Sequence, residues 1–311
     1  MKNLIILGNG FDIDLGLNTS FKAFVESVDF LSIPDLPLIK RIKGKEMDNW
    51  YDLEGLLRNE LVAYSHKPSQ DLANDINIAW RLIKKHWGEY FPELIDLDNI
   101  KINKESCAYH LLNADGKHAT FWYTFNYTNP WYLCQLQNQA EIRFVHNETT
   151  PLDFAKRHGF MRLVPNNLII GVDSSVPKCI KMEAKLSPII KIRNNSFQNK
   201  HIEELHQCLL SANNVIIFGQ SFGITDSDYF KPYFKSIICG EIQQQNLYIV
   251  TYNSSSLSRI ITNMQEYGIE YDKIIHSYVN VKIVYTEQMA SSHDFKQMIS
   301  NFYKDKENKN E

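Results

Sequence analysis

The chain has 311 residues, of which 44% are hydrophobic and 22% charged, a composition typical of a folded globular protein. Its formal net charge of −3 indicates no broad basic surface, so we expect neither nucleic acid nor a membrane as a partner. The five cysteines form no CxxC pair, and the histidines of HIEELH fall on different helix faces, so no disulfide framework or metal site is predicted. The first apolar run is too short for a signal peptide or a membrane span, and we expect a cytoplasmic protein.

Short apolar runs rich in β-branched and aromatic residues recur along the chain and predict strands. They are mostly continuous rather than alternating, which is typical of strands covered on both faces in a parallel sheet. We therefore predict an α/β fold with a largely parallel sheet. The predicted strands are Asn3–Leu7, Thr120–Phe125, Ile142–His146, Leu168–Gly171, Asn214–Gly219, Leu247–Tyr252 and Val281–Thr286.

Helical patterns fill the long interval between the first two predicted strands. The first predicted helix would be capped by Asn18 or Thr19, and two longer helices are predicted at Trp50–Tyr64 and Ser69–Phe91. We predict one α/β domain over residues 1–303 with an inserted helical layer at about 45–115, followed by a charged, flexible tail at 304–311. The buried face of the first helix would hold Phe21, Phe24, Val25 and Val28.

A glycine turn follows the first predicted strand, in the segment IILGNGFDIDLG. Gly8 and Gly10 stand where a loop can bring its amides close to a diphosphate. The dinucleotide fingerprint GxGxxG nevertheless fails, because Ile13 replaces its third glycine, and no phosphate-binding Gly-Lys-Ser/Thr is present. A lone GxG is as often a simple strand-ending turn. The additional Asp12 and Gly16 favour a nucleotide-binding turn.

Two polar residues follow central predicted strands. Asn126, in YTFNYTNP, could orient a ribose hydroxyl or a water because its amide both donates and accepts hydrogen bonds. Its alternative role is to close a turn before Pro130. His146, which ends IRFVH, is a candidate general base, although a structural histidine is the alternative. His158, in a polar stretch, is a weaker candidate.

A second glycine segment, NNVIIFGQSFGITDSDYF, combines a strong strand with small residues and a helix start. Gly219, Ser221 and Asp226 could surround a phosphate or a ribose. The same spacing matches the GxSxG pattern of serine hydrolases. Such an enzyme needs a histidine downstream, and the available His276 and His293 follow no predicted strand end.

Taken in order, five segments resemble the AbiH family of bacterial phage abortive-infection proteins. They span residues from about 1 to 234, and the first and last are long and specific, whereas the C-terminal part agrees in pattern only. The resemblance implies antiphage defence, with a phage-derived trigger, and leaves open a homo-oligomer or a partner protein. The segments are IILGNGFDIDLGLNTSFKAF, NWYDLEGLL, TFNYT, FVH and IIFGQSFGITDSDYF.

The AbiH family is similar, more distantly, to sirtuin-like NAD-binding proteins, which implies a Rossmann-like (sirtuin-like) sheet and NAD as ligand or substrate. On that similarity, Asn126 would contact the nicotinamide ribose and a water, and His146 would be the catalytic base. Two departures matter: Asn147 stands where a glycine normally follows the histidine, and the paired cysteines of the sirtuin zinc module are absent, which argues against protein deacetylation. The other implied NAD-binding residues are Gly8, Asn9, Gly10, Phe11, Asp12, Thr19, Gly219, Ser221 and Asp226.

Three functions remain open from the sequence. The first is NAD glycohydrolysis that starves an infected cell; the departing nicotinamide is already cationic, so no strong general acid is needed. The second is a non-catalytic module that senses a nucleotide and signals to a partner, which Asn147 favours. The third is a serine hydrolase built on Ser221.

Overall fold

The computed structural model describes residues 3–44, 53–94, 100–114, 120–136, 142–146, 168–191 and 196–303, with the backbone alone at 91–94, 132 and 196–201. Trp50, Asn147, His158 and the predicted tail at 304–311 lie outside the described residues. Every site residue predicted for catalysis or for NAD binding lies within them.

Six strands form one parallel sheet in the described part of the chain, in the order β3-β2-β1-β4-β5-β6. The predicted α/β fold with a largely parallel sheet is thus confirmed, and six of the seven predicted strands are present with ends shifted by at most two residues. The strands are β1 (Asn3–Leu7), β2 (Thr120–Thr124), β3 (Ile142–Phe144), β4 (Asn214–Phe218), β5 (Asn246–Thr251) and β6 (Asn280–Tyr285).

Alternate residues of the central strand β1 are buried on opposite faces of the sheet. Leu4 and Ile6 pack into one apolar cluster, whereas Ile5 and Leu7 pack into another, and none of the four is more than 1% exposed. Because both faces are covered at these four positions, residues 4–7 are continuously apolar.

The predicted strand Leu168–Gly171 is wrong. Ile169 donates its amide to the carbonyl of His146, just after β3, at 2.9 Å. The peptide groups that follow bond to side chains: the carbonyl of Ile170 accepts from Nε1 of Trp80 at 2.8 Å, and Gly171 donates its amide to Oε1 of Glu54 at 2.9 Å. An apolar run can therefore be buried without joining the sheet when polar side chains satisfy its peptide groups.

Helices surround the sheet and form an additional layer. None of the helices in the described ranges is long and apolar enough to cross a membrane. The helices are α1 (Asn9–Asp14), α2 (Phe21–Val25), α3 (Val28–Leu31), α4 (Pro37–Gly44), α5 (Leu53–His66), α6 (Gln70–Leu94), α7 (Cys107–Ala114), α8 (Pro130–Leu133), α9 (Lys178–Met182), α10 (Ser196–Ser211), α11 (Ser227–Ile238), α12 (Ser254–Glu266), α13 (Tyr271–Ile275) and α14 (His293–Tyr303).

The first predicted helix is divided into α2 and α3, and its predicted cap by Asn18 or Thr19 is wrong. The hydroxyl of Ser20 caps α2, and a second cap, the hydroxyl of Ser27, accepts the amide of Phe30 and starts α3. The serine ends one helix and begins the next, so Val28 is 84% exposed rather than buried.

The two longer predicted helices are present as α5 and α6: α5 ends two residues later than predicted, α6 begins one residue later and ends three residues later, and the predicted start at Trp50 lies outside the described residues. Together with α2–α4 and residues 168–190 they enclose an apolar cluster separate from those on the two sheet faces. Within it the rings of Phe24 and Trp87 meet edge to face at 4.7 Å. This helical layer therefore includes α2–α4, which precede the predicted insertion.

A row of asparagine side chains joins the first residues of four neighbouring strands. Asn214 donates to Oδ1 of Asn3 at 3.0 Å and accepts from Nδ2 of Asn246 at 2.8 Å. Asn280 extends the row by donating to Asn246 at 2.9 Å. Since these residues are also backbone partners in the sheet, the row fixes the register at the amino edge.

We expect Asn214→Ala to lower the free energy of unfolding by roughly 2–3 kcal/mol, because it removes the partners of Asn3 and Asn246 from a buried position. Asn280→Ala is the matched control, since Asn280 is exposed at the end of the row and should cost well under about 1 kcal/mol. Denaturant unfolding of both variants checks this. Equal losses would contradict a stabilising role for the row.

Candidate functional site

The candidate site lies at the carboxyl edge of the sheet, where the loops after β1, β2, β3 and β4 meet. From β1 the strand order runs outward in both directions, to β2 and β3 on one side and to β4, β5 and β6 on the other. Open parallel sheets bind ligands where the strand order reverses in this way, here between β1 and β4.

The loops after β1 and β4 are in direct backbone contact. Gly8 donates its amide to the carbonyl of Phe218 at 2.8 Å, and Gly10 donates to the carbonyl of Gly219 at 2.9 Å. These are two of the amides that the sequence assigned to a diphosphate. In this structure they bond to the neighbouring loop, so binding of an anion by them would require that contact to open.

The glycines are required by the closeness of the two loops. A Cβ atom on Gly10 would lie 2.7 Å from Cα of Gly219, and one on Gly219 would lie 2.5 Å from the carbonyl carbon of Gly10. Gly219 also has a φ of +70°, which favours glycine. Phe11 follows this contact and is fully buried, with its ring edge-on to Phe218 at 5.0 Å. Its side chain therefore belongs to the core.

A buried polar cluster joins the loops after β1 and β2. Nδ2 of Asn126 donates both to the carbonyl of Gly8 at 3.0 Å and to Oδ1 of Asp12 at 2.9 Å. Thr128 donates to the other carboxylate oxygen of Asp12 at 2.6 Å. Both amide hydrogens of Asn126 are thus engaged, and only its Oδ1 can accept a further hydrogen bond.

The pKa of Asp12 is raised to about 7. Its burial disfavours the charged carboxylate, and the hydrogen bonds from Thr128 and Asn126 only partly offset this effect. The carboxyl is therefore close to half protonated at neutral pH. Nearby, Thr19 is buried and donates to Oδ1 of Asn9 at 2.8 Å, which holds two further predicted residues beside this cluster.

His146 follows β3 and is buried, with 6% of its surface exposed. Nε2 lies 3.4 Å from Oδ1 of Asp226, but this approach does not form a hydrogen bond, and Nε2 has no other partner among the described residues. The rings of Phe125, Tyr127 and Tyr229 surround the imidazole at 5.1, 6.2 and 5.8 Å. A buried polar atom left without a partner is a candidate contact for a ligand or a water.

The pKa of His146 is lowered from its ordinary value of 6.5, first by burial and then by the positive charge of Lys191. Asp226 acts in the opposite direction without cancelling these two effects. The imidazole is therefore neutral at pH 7, the form that can accept a proton.

A buried ion cluster lies on the other side of Asp226. Nζ of Lys191 contacts Oδ1 of Asp226 at 2.7 Å and Oε2 of Glu54 at 2.6 Å. Burial alone would raise the pKa of Asp226, but Lys191 and His146 outweigh it and hold this pKa well below its usual range. Burial raises the pKa of Glu54 to about 7, although Lys191 opposes this. Asp226 is thus the permanent anion of the cluster.

Gln220 connects the ion cluster with the cluster around Asp12. Its Nε2 donates to Oδ2 of Asp226 at 3.0 Å, and a Cβ atom on Gly8 would lie only 2.7 Å from Cα of Gln220. Gly8 in turn accepts from Asn126. Five of the predicted site residues therefore belong to one continuous polar region at the point where the strand order reverses: Gly8, Asp12, Asn126, His146 and Asp226.

The sequence profile of a family described as bacteriophage abortive infection AbiH matches residues 4–252 of this chain. The match includes β1 to β5 and every residue of the site. The chain belongs to the AbiH family. Membership supports a role in phage abortive infection. Neither the comparison with curated proteins nor the comparison with solved structures finds a match.

The structure of this AbiH protein brings together some of the predicted site residues and separates others. Asn126 meets Asp12, and His146 meets Asp226, although the sequence had assigned Asp226 to the adenosine side. Ser221 is exposed, and its carbonyl accepts from Nδ2 of Asn263 at 2.8 Å. Within the described ranges its hydroxyl makes no hydrogen bond with a histidine, so the structure lends the serine hydrolase hypothesis no support.

The sequence did not predict Glu54 or Lys191 as site residues. A signal was available for Glu54, which shares the apolar face of α5 with Leu57 and Leu61 at helical spacing. A carboxylate at such a position needs a buried partner. Among the described residues, no group of three or more histidine, cysteine or acidic side chains is arranged to hold a metal ion.

We expect Gly219→Ala to destabilise the protein by on the order of 3 kcal/mol. The added methyl group would clash with the backbone of Gly10, and the alanine would have to adopt the positive φ of this position. Gly268→Ala is the matched control: it has a φ of +78° and nothing within 4 Å of the added Cβ, so only the roughly 1–2 kcal/mol backbone term applies. Thermal unfolding compares the two. A smaller loss for Gly219→Ala than for Gly268→Ala would contradict the close loop contact.

We expect Asp12→Asn to become more stable relative to the wild type as the pH rises from about 4 to about 8. The folded protein retains the Asp12 proton up to about pH 7, whereas the unfolded chain loses it near pH 4, so this group opposes folding increasingly across that window. The relative gain should approach roughly 4 kcal/mol, since each pH unit between the two pKa values contributes about 1.4 kcal/mol.

Denaturant unfolding at pH 4.5 and pH 8 measures this difference. Glu54 and Asp14, whose pKa values are also raised, titrate equally in both proteins and cancel. The exposed Asp272→Asn variant serves as control and should show no pH-dependent difference. A constant difference between Asp12→Asn and the wild type at both pH values would show that Asp12 titrates normally.

Proposed function

We propose that this AbiH protein is an abortive-infection effector that binds NAD at the carboxyl edge of its sheet and hydrolyses the bond between nicotinamide and ribose. The observation that carries the proposal is the buried, neutral imidazole of His146, whose Nε2 has no hydrogen-bond partner among the described residues and lies beside the Asp226 carboxylate. A base of this kind can accept a proton from an attacking water.

The chemistry requires no strong acid. The bond from the ribose carbon to the nicotinamide nitrogen breaks, and its electron pair neutralises the cationic ring, which leaves as nicotinamide. The oxygen of a water molecule bonds to the same carbon, and the released proton passes to Nε2 of His146 and then to solvent. The products are nicotinamide, ADP-ribose and one proton.

The charges of the site suit this reaction. Positive charge develops on the ribose as the bond breaks, and carboxylates near that position stabilise it. Asp226 is held ionised by Lys191, and Asp12 contributes in its ionised form above about pH 7. Oδ1 of Asn126 is available as an acceptor for a ribose hydroxyl, because the amide hydrogens are engaged by Gly8 and Asp12.

Nicotinamide release from NAD by the purified protein tests the proposal, alone and with lysate of phage-infected cells as a source of the trigger. We expect His146→Ala to lower the rate about 100-fold or more, because it removes the base. Asn126→Ala should lower it roughly tenfold through loss of ribose orientation. His276→Ala is the matched control, since this exposed histidine bonds only to the backbone of its own helix.

Equal release by the wild type and both site variants would contradict the residue assignments. Absence of release under both conditions would contradict the enzyme. Calorimetry then decides the second hypothesis: tight binding of NAD with the nucleotide unchanged afterwards would indicate a sensing module that signals to a partner.

A further inference from the structure

Lys191 is 1% exposed, and its ammonium group lies between the carboxylates of Glu54 and Asp226. Burial removes the hydration of such a group, and an apolar side chain of similar volume is often at least as stable in its place. A lysine here therefore needs an explanation other than stability of the fold.

Lys191 is held by hydrogen bonds of both its backbone and its side chain. The amide of Lys191 donates to the carbonyl of Val172 at 2.9 Å. The adjacent Gly171 donates to Oε1 of Glu54 at 2.9 Å, and Oε2 of the same carboxylate contacts the ammonium group at 2.6 Å. Glu54 of α5 thus contacts both the ammonium group of Lys191 and the segment to which the backbone of Lys191 is bonded.

The Asp226 carboxylate is bound at both oxygens. Oδ2 accepts from Nε2 of Gln220 at 3.0 Å, whereas Oδ1 is shared between Lys191 at 2.7 Å and His146 at 3.4 Å. The contacts with Gln220 and Lys191 together hold the carboxylate with Oδ1 toward the imidazole.

We propose that Lys191 is a positioning residue: its ammonium group, held by Glu54, fixes the Asp226 carboxylate against His146 and so assembles the pair that acts on the substrate. The inference rests on the function proposed above for His146. It adds to that function a link from the helical layer, through Glu54, to the catalytic pair.

The two partners of the ion pair have opposite electrostatic effects on His146. In the described part of the chain the titratable groups that face this imidazole are Asp226, Lys191 and the phenols of Tyr127 and Tyr229, with Glu54 behind Lys191. Lys191 lowers the pKa of His146 and Asp226 raises it. A general loosening of the site would instead move this pKa toward its ordinary value in every variant.

The test is the titration of His146 in the free protein, followed by NMR of protein labelled with carbon-13 at the histidine Cε1 and assigned with His146→Gln. The double variant Lys191→Met/Glu54→Gln removes the ammonium group together with its second counter-ion. We expect the pKa of His146 to rise above its wild-type value, because the positive charge that lowers it is removed while the burial of the imidazole remains. Asp226→Asn should lower it below the wild-type value, and Lys185→Met, a half-buried lysine of the same segment, should leave it unchanged.

Shifts of the double variant and of Asp226→Asn in the same direction, or no shift in either, would overturn the proposal. If the double variant does not fold, Asp226→Asn and Lys191→Arg decide it. The arginine keeps the charge, so the pKa of His146 should remain below 6.5, and a value at or above 6.5 would overturn the assignment. Asp226→Asn leaves Lys191 paired with Glu54, so its fold keeps a counter-ion for the buried ammonium.

Turnover provides the second readout. In the nicotinamide-release assay the double variant should show a kcat at least about tenfold lower with KM little changed, because Lys191 positions the catalytic pair without contacting NAD. The titration does not depend on turnover. Opposite shifts of the His146 pKa without any nicotinamide release would therefore support the positioning role and reject the proposed enzyme. Nicotinamide release with no change in the His146 pKa of either variant would support the enzyme and reject the positioning role.

Discussion

The candidate site depends on one close contact, between the backbone of the loop after β1 and that of the loop after β4. Three glycines allow the contact, since a Cβ atom on Gly8, Gly10 or Gly219 would fall within 2.7 Å of the opposite loop. It joins two strands at the point where the strand order reverses. Asp12 follows β1 and is bonded to Asn126 from the loop after β2, whereas Gln220 and Asp226 follow β4. The contact therefore sets the distance between the cluster around Asp12 and the cluster around Asp226.

Burying the ionisable groups of the two polar clusters costs folding free energy, and it shifts their pKa values in a way that is typical of active sites. Asp12 is buried, and its carboxylate accepts from the neutral side chains of Asn126 and Thr128, which do not offset the burial, so its pKa is raised to about 7. Two carboxylates share the ammonium of Lys191, and burial raises the pKa of one of them, Glu54, to about 7. Buried groups whose pKa values are pushed apart in this way are typical of active sites, although structural ion pairs can produce the same pattern. Here the groups with raised pKa values, Asp12 and Glu54, and the group with a lowered pKa, Asp226, lie close to Asn126 and His146.

Much of the fold could be predicted from local sequence, because the strands are buried on both faces and carry continuous apolar runs. The same rule failed at Leu168–Gly171, where apolar side chains are buried under α5 and α6 but the backbone bonds to Glu54 and Trp80. Asn126 and His146 could be predicted as candidates since each follows a strand at the carboxyl edge. Lys191 and Glu54 could not be paired, because 137 residues separate them and no local pattern specifies a contact across the fold.

The position of Ile13 clarifies what kind of glycine turn this is. In the dinucleotide fingerprint the third glycine lets the following helix pack closely against a strand. Here α1 is six residues long, and Ile13 is 42% exposed on it, so this position has room for a large side chain. The close approach occurs instead between Gly10 and the loop of Gly219, one turn earlier. In the dinucleotide fingerprint a contact between a helix and a strand requires the third glycine, whereas here a contact between two loops requires Gly8 and Gly10. This turn therefore needs no third glycine.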